Sequence, residues 1–166
     1  MVALALTPVE FRSAPRCKYQ AQDSSQTLSE ALTEYYAFNG DKVLPPSALP
    51  PESAALFRSH DICHVIFGLD TTLSDEAMAD TRTLLSCDVG WSRYAKYLAS
   101  DSQAKAIFKQ VGYFTVILGT IRSLPRIVRA VIEAWKMRKR WPWIPPDEYH
   151  DRALSDLRHE YGIRVI

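Results

Sequence analysis

Long apolar runs, closely spaced cysteines and strand-type alternation are all scarce in this chain of 166 residues. The longest uncharged stretch, Gln110 to Ile121, has twelve residues, short of the roughly 20 that a spanning helix needs. No transmembrane helix is expected. The three cysteines, Cys17, Cys63 and Cys87, are odd in number and far apart, with no CxxC pair. This argues against a disulfide framework and for a reducing, intracellular setting. The opening MVALALTPVEF has no basic leader and meets Glu10 early, and it is not rich in Arg and Ser. Neither a secretory signal nor a mitochondrial transit peptide is expected from it. There is no internal repeat, and no helix-turn-helix, zinc-finger or aromatic-basic sheet motif, so no nucleic-acid partner is expected. With no period-2 alternation in the body of the chain, the reading is all-α, a single-domain helical bundle.

The length suits one domain with its own core, and 47% hydrophobic with 23% charged residues is an ordinary globular balance. The net charge of +1 conceals an asymmetry. Residues 1 to 100 carry 8 basic and 12 acidic side chains, residues 101 to 166 carry 12 and 7, and residues 105 to 140 set nine Lys or Arg against Glu133 alone. That is a regional basic surface.

Residues 1 to 24 read as an irregular or weakly paired N-terminal arm and residues 25 to 166 as the helical domain. From Ser25, SSQTLSEALTEYYAF offers a cap for a first helix with Glu30 in its first turn, Leu28, Leu32, Tyr35 and Tyr36 at helical spacing, and Asn39-Gly40 at its end. Four prolines between Leu44 and Pro51 make a rigid connector. Glu52 then opens a helix whose apolar side carries Leu56, Phe57 and Phe67. The next helix runs through Met78, Thr81, Leu84 and Leu85 towards Asp88, with Gly90 dividing it from Trp91, Tyr94, Tyr97 and Leu98. Asp101-Ser102 predicts a cap for a central helix carrying Ile107, Phe108, Val111, Phe114, Ile117 and Leu118. Pro125 suits the first turn of a further helix with Leu124, Ile127, Val128, Val131, Ile132 and Trp135 as its apolar stripe. A last helix is expected from about Asp147 to Tyr161.

Chemistry concentrates in His60 to Glu76, HDICHVIFGLDTTLSDE. His60 and His64, four apart, share one helical face, and Asp61 lies at its edge. Gly68 ends that helix, Thr71-Thr72 marks a turn, and Ser74 reads as the next cap, so Glu76 falls in the first turn of a second helix. Such a helix–loop–helix can bring two imidazoles and carboxylates to one divalent cation. On its own an HDxxH is as well explained by a polar helix stripe, and Asp61 differs from the Glu of the HExxH proteases. Cys63, inside the motif, reads as a buried packing thiol rather than a ligand.

The whole pattern, H-D-x-x-H, eleven residues, then E, with Gly68 between, resembles the ubiquinone (coenzyme Q) biosynthesis protein 4 family. YYAFNGDKVLPPSALPP is similar to that family's tyrosine and proline-rich approach. YHDRALSDLRHEYGI resembles its C-terminal helix with a short acidic-aromatic-glycine-isoleucine ending. The likeness covers about residues 28 to 163, densely at the motif and the tail. It implies a membrane-peripheral protein of prenylated quinone biosynthesis. The implied reaction is metal-dependent C1 decarboxylation, with or without oxygen insertion, of a polyprenyl-hydroxybenzoate head group, a carbon–carbon lyase activity. His60, Asp61, His64 and Glu76 would be both the metal ligands and the catalytic residues. The metal would be zinc first, with iron or magnesium as alternatives. The resemblance further implies association with a membrane and with other enzymes of quinone biosynthesis. One departure is Asp75, where the family usually has glycine; its carboxylate can join the site or favour the helix N-terminus.

A polyprenyl tail would need an apolar channel, for which the helices around Phe114 and Val128 are the expected lining. Lys136, Arg138, Lys139 and Arg140, followed by Trp141 and Trp143, suit an anionic bilayer surface on the cytoplasmic face. The other reading has the cations complement a helix C-terminus and the tryptophans pack in the core. The alternative to an enzyme is a non-catalytic isoprenoid carrier or scaffold for a quinone biosynthesis complex, and a homodimer fits either reading.

Overall fold

A computed structural model describes residues 17–40, 43, 47, 51–100 and 113–166, with no description of the side chains of residues 52–53, 96–100 and 113–122. Six helices carry it: α1 (Leu28–Asn39), α2 (Pro51–Phe67), α3 (Leu73–Ser86), α4 (Trp91–Ser100), α5 (Tyr113–Trp135) and α6 (Leu154–Tyr161). Short 3-10 turns lie at Lys18–Gln20 and Asp147–Asp151. The only β-type pairing among the described residues is two isolated bridges, Thr27 with Ala153 and Cys87 with Trp141. The all-α expectation holds. Residues 1–16, most of the proline connector, the Asp101-Ser102 cap, Ile107, Phe108 and Val111 fall outside the described residues, as do the side chains of Phe114, Ile117 and Leu118.

The second half of α2 is the centre of the molecule. Every residue from Ser59 to Asp70 is buried, so this helix is enclosed on all sides rather than amphipathic. Pro51 occupies its first position, where a missing N–H costs nothing. Gly68 ends it at φ +68, and a Cβ there would meet the Val165 side chain at 2.8 Å. Left-handed backbone and lack of space both call for glycine.

Arg158 of α6 closes that same helix end. It is fully buried, and it donates to the carbonyls of Val65 and Ile66, both at 2.9 Å, and of Tyr19 at 2.6 Å, with Ala21 and Gln22 also accepting. A guanidinium complements the negative end of the helix and supplies donors to carbonyls that have no partner within it.

The cap expected within the stretch from Ser25 is Thr27, which starts α1 in a reciprocal box with Glu30. The start of α3 differs from the sequence expectation. Thr72, not Ser74, caps α3 by accepting from the Asp75 N–H. Ser74 instead accepts from Arg126 at 2.8 Å. The described part of the expected arm, residues 17–24, packs on the domain: Tyr19 is fully buried and its hydroxyl donates to the Leu69 carbonyl. The expected helix from Asp147 to Tyr161 is broken at Arg152 and Ala153, whose backbones are extended because they pair beside Thr27. There Leu28 N–H donates to Arg152 and Leu154 N–H to Gln26.

Two further expectations are overturned. Pro125 lies inside α5, not at the start of a helix. The stripe Leu124, Val128, Ile132 and Trp135 faces outward, 43 to 79% exposed, so Val128 does not line an interior channel. The face turned inward carries Ser123, Ala130 and Glu133. Ser123 and Ala130, both small, let α5 approach α3 closely enough for buried Arg82 to reach the Ala130 carbonyl. In α3 it is likewise Met78, Ala79, Arg82, Thr83 and Ser86 that are buried, while Leu85 is exposed. Trp141 and Trp143 are core residues, as the packing reading had it, and Lys136, Arg138, Lys139 and Arg140 are exposed.

Candidate metal centre

Helical periodicity on α2 puts His60 and His64 one turn apart with ring centroids 4.7 Å apart, both facing α3. Across the interface, His64 Nε2 lies 3.4 Å from Glu76 Oε2. One turn further along α3, Asp80 Oδ1 lies 3.7 Å from His60 Nε2. The loop 68–72 sets this register. Asp75 holds it, accepting the Asp70 N–H at 2.7 Å and pairing with Arg126 of α5 at 2.6 Å. Asp75 thus serves the α2–α3 turn and does not join the cluster. Thr71 donates to Asn39 at 2.8 Å and ties the same loop to the end of α1.

His60, His64 and Glu76 each offer a ligand atom, all within 4.8 Å of one another, and this trio can hold a metal ion. Edges between ligands of a four-coordinate zinc are about 3.0–3.4 Å, given metal–ligand bonds near 2.0–2.1 Å. The His64–Glu76 pair is already at that spacing. A second feature fits a cation: His64 is completely buried, its Nδ1 has no hydrogen-bond partner, and its Nε2 has only the Glu76 carboxylate opposite it at 3.4 Å. A buried imidazole left this way is costly, and two nitrogens with a carboxylate oxygen form a donor set common to zinc and ferrous iron. His64 is held in place by stacking on Tyr35, 5.6 Å between centroids.

Asp61, expected as a fourth ligand, is buried beside the trio but outside it. Its Oδ2 accepts the Tyr36 hydroxyl at 2.8 Å. Sequence reasoning missed Asp80, Tyr94 and Tyr36. Asp80 stands four residues after Glu76, the same interval as His60 to His64, and that spacing was the available signal. Tyr94 of α4, which donates its hydroxyl to Asp80, gives no such signal.

The electrostatics follow from burial among opposite charges. Burial pulls the His60 imidazole down, but the Asp80 hydrogen bond and the charges of Glu76, Asp80 and Asp61 outweigh it and raise it to about 9. His64 is likewise pulled down by burial and raised overall by Glu76. Burial pushes the Glu76 carboxyl up, and the His64 partner more than reverses this. The His60 imidazole therefore holds a proton at neutral pH that an incoming cation must displace. Both histidines are sealed from solvent, whereas the side chains of Glu76 and Asp80 are 36% and 44% exposed, so the cluster opens on the α3 side. Cys63 lies next to it as a buried free thiol, its Sγ 3.6 Å from that of Cys87.

No family model, curated protein or solved structure matches the chain. Among the described residues, no helix is long and apolar enough to cross a membrane.

Proposed function

We propose that the protein binds a divalent cation through His60, His64 and Glu76 and uses it in prenylated quinone biosynthesis, removing the C1 carboxylate of a polyprenyl-hydroxybenzoate. The observation that carries this reading is the trio itself, two buried imidazoles and a carboxylate within 4.8 Å, in the H-D-x-x-H, eleven, E pattern that resembles the ubiquinone biosynthesis protein 4 family. The cation, zinc or ferrous iron by its donor set, supplies Lewis acidity towards a substrate carboxylate or phenolate.

The chain's own groups do the rest. The para-hydroxyl of the substrate feeds electron density to C1, so a proton can add there. The bond to the carboxylate then breaks, its electron pair restoring the ring as CO2 leaves. The Asp61–Tyr36 pair, joined at 2.8 Å, is where we place the proton held for C1. Where oxygen is to be inserted, molecular oxygen and a two-electron donor are the further reactants, one oxygen atom going to C1 and the other leaving as water. Exposed Leu124, Val128, Ile132 and Trp135 are the apolar surface we assign to the isoprenoid tail and the membrane. Arg138 and Arg140 lie just beyond them for anionic headgroups. Trp135 takes the interfacial part expected of Trp141 and Trp143.

The test is turnover by purified, metal-loaded protein given a prenylated hydroxybenzoate with and without oxygen, followed by mass spectrometry. Decarboxylated product that disappears in folded His64→Ala and Glu76→Ala supports the enzyme. Co-purified isoprenoid lipid with no product overturns it in favour of a carrier.

A further inference from the structure

We propose that Asp80, rather than Asp61, is the fourth protein ligand of this centre, completing a set of two imidazoles and two carboxylates. The inference rests on reading His60, His64 and Glu76 as a metal site and specifies its last member. Two helices face each other with matching spacing: His60 and His64 on α2, Glu76 and Asp80 on α3, each pair four residues apart and so one turn apart. The facing atoms form two rungs, His64 Nε2 to Glu76 Oε2 at 3.4 Å and His60 Nε2 to Asp80 Oδ1 at 3.7 Å. In both rungs the same ring nitrogen, Nε2, points at the carboxylate. A cation between the rungs would be reached from four side chains with the backbone left where it is.

The trio lies within 4.8 Å, and Asp80 stands just outside it, facing His60 at 3.7 Å. With 44% of its side chain exposed, Asp80 has room to rotate towards the trio, as a ligand edge of about 3.0–3.4 Å requires of it. Asp61 is placed differently. It follows His60 directly, so it projects about 100° around the helix from it, and its carboxylate is buried against α1 under the Tyr36 hydroxyl. Asp80 also has the outer support usual for a ligating carboxylate: Tyr94 donates its hydroxyl to Oδ1. A carboxylate oxygen accepts more than one partner, so this bond leaves Asp80 able to ligate. Tyr94 is then a positioning residue, acting on the cation through Asp80.

The experiment is titration of the purified, metal-stripped full chain with Co(II), read by its visible spectrum, together with zinc competition against a chromophoric chelator. Wild type is compared with Asp80→Asn, Asp80→Ala, Asp61→Asn, Tyr94→Phe and His64→Ala, each checked for fold by circular dichroism. Expected are one equivalent bound by wild type and affinity weakened at least about tenfold by either Asp80 variant, with a changed Co(II) spectrum. Tyr94→Phe should weaken binding less, and Asp61→Asn should leave the spectrum unchanged. Wild-type affinity and spectrum in both folded Asp80 variants overturn the assignment while leaving the three-residue centre standing, more so if Asp61→Asn abolishes binding. Absence of binding by wild type, or binding that His64→Ala does not reduce, overturns the centre as a whole.

Discussion

Arg158, fully buried, donates to five backbone carbonyls. One buried guanidinium serves the last turn of α2 and the chain segment at Tyr19–Gln22; without it Val65 and Ala21 keep the Gly68 and Ser24 N–H donors, while the Ile66 and Tyr19 carbonyls lose this donor. Each buried polar group left unsatisfied costs about 1–3 kcal/mol. Arg158→Met should therefore lose about 3 kcal/mol or more in urea unfolding, with Arg158→Lys in between because an ammonium cannot fork to several acceptors. Glu160 illustrates the opposite regime, on the surface. Its hydrogen bonds with Lys139 and Arg152 hold the carboxyl below its ordinary 4.5. A depressed acid contributes stability above its unfolded value and loses it as pH falls through the folded one. Acid unfolding of Glu160→Gln should thus depend less on pH below about 4.5 than that of wild type. Salt should erase the difference, since the network is exposed.

At the scale of elements, the end of α2 and the start of α3 set the geometry of the cluster. Gly68→Ala combines a left-handed backbone, which disfavours any Cβ by about 1–2 kcal/mol, with a 2.8 Å approach to Val165. In thermal melts Val165→Ala should rescue the steric part of that loss and leave the conformational part. This element was legible in advance. His60 and His64 at helical spacing, glycine as the stop and Glu76 in the following first turn are all local patterns, and local patterns survive in a sequence. What sequence hid is whatever depends on a distant neighbour. Nothing around Arg158 announces that Ile66, 92 residues away, will be its acceptor. The apolar run on α5 suggested an inward stripe, but Ser123, Ala130 and Glu133 face inward: the first two are small enough for close contact with α3, and Glu133 is paired with Lys136. Asp147 to Tyr161 has a helical pattern, yet Arg152 and Ala153 give up helical geometry to pair with the strand-like entry to α1. Pro125 stands within α5 although its missing N–H and fixed φ favour a helix start.

For the molecule as a whole, a cation at the α2–α3 interface would link two helices at the buried centre of the fold. An ion bound by the native state alone stabilises it by mass action, about 2.7 kcal/mol at a hundredfold excess over Kd. Adding a strong chelator to loaded protein should therefore lower the melting temperature, and readdition of zinc should restore it. His64→Ala should melt at the same temperature with and without chelator. The path to the cluster sets its tempo as well. With both imidazoles sealed and solvent reaching Glu76 and Asp80, traffic of ions in and out passes those two carboxylates. Residence time is then governed by the swing of two short side chains on one helix, so exchange can be made faster or slower there without rebuilding the core.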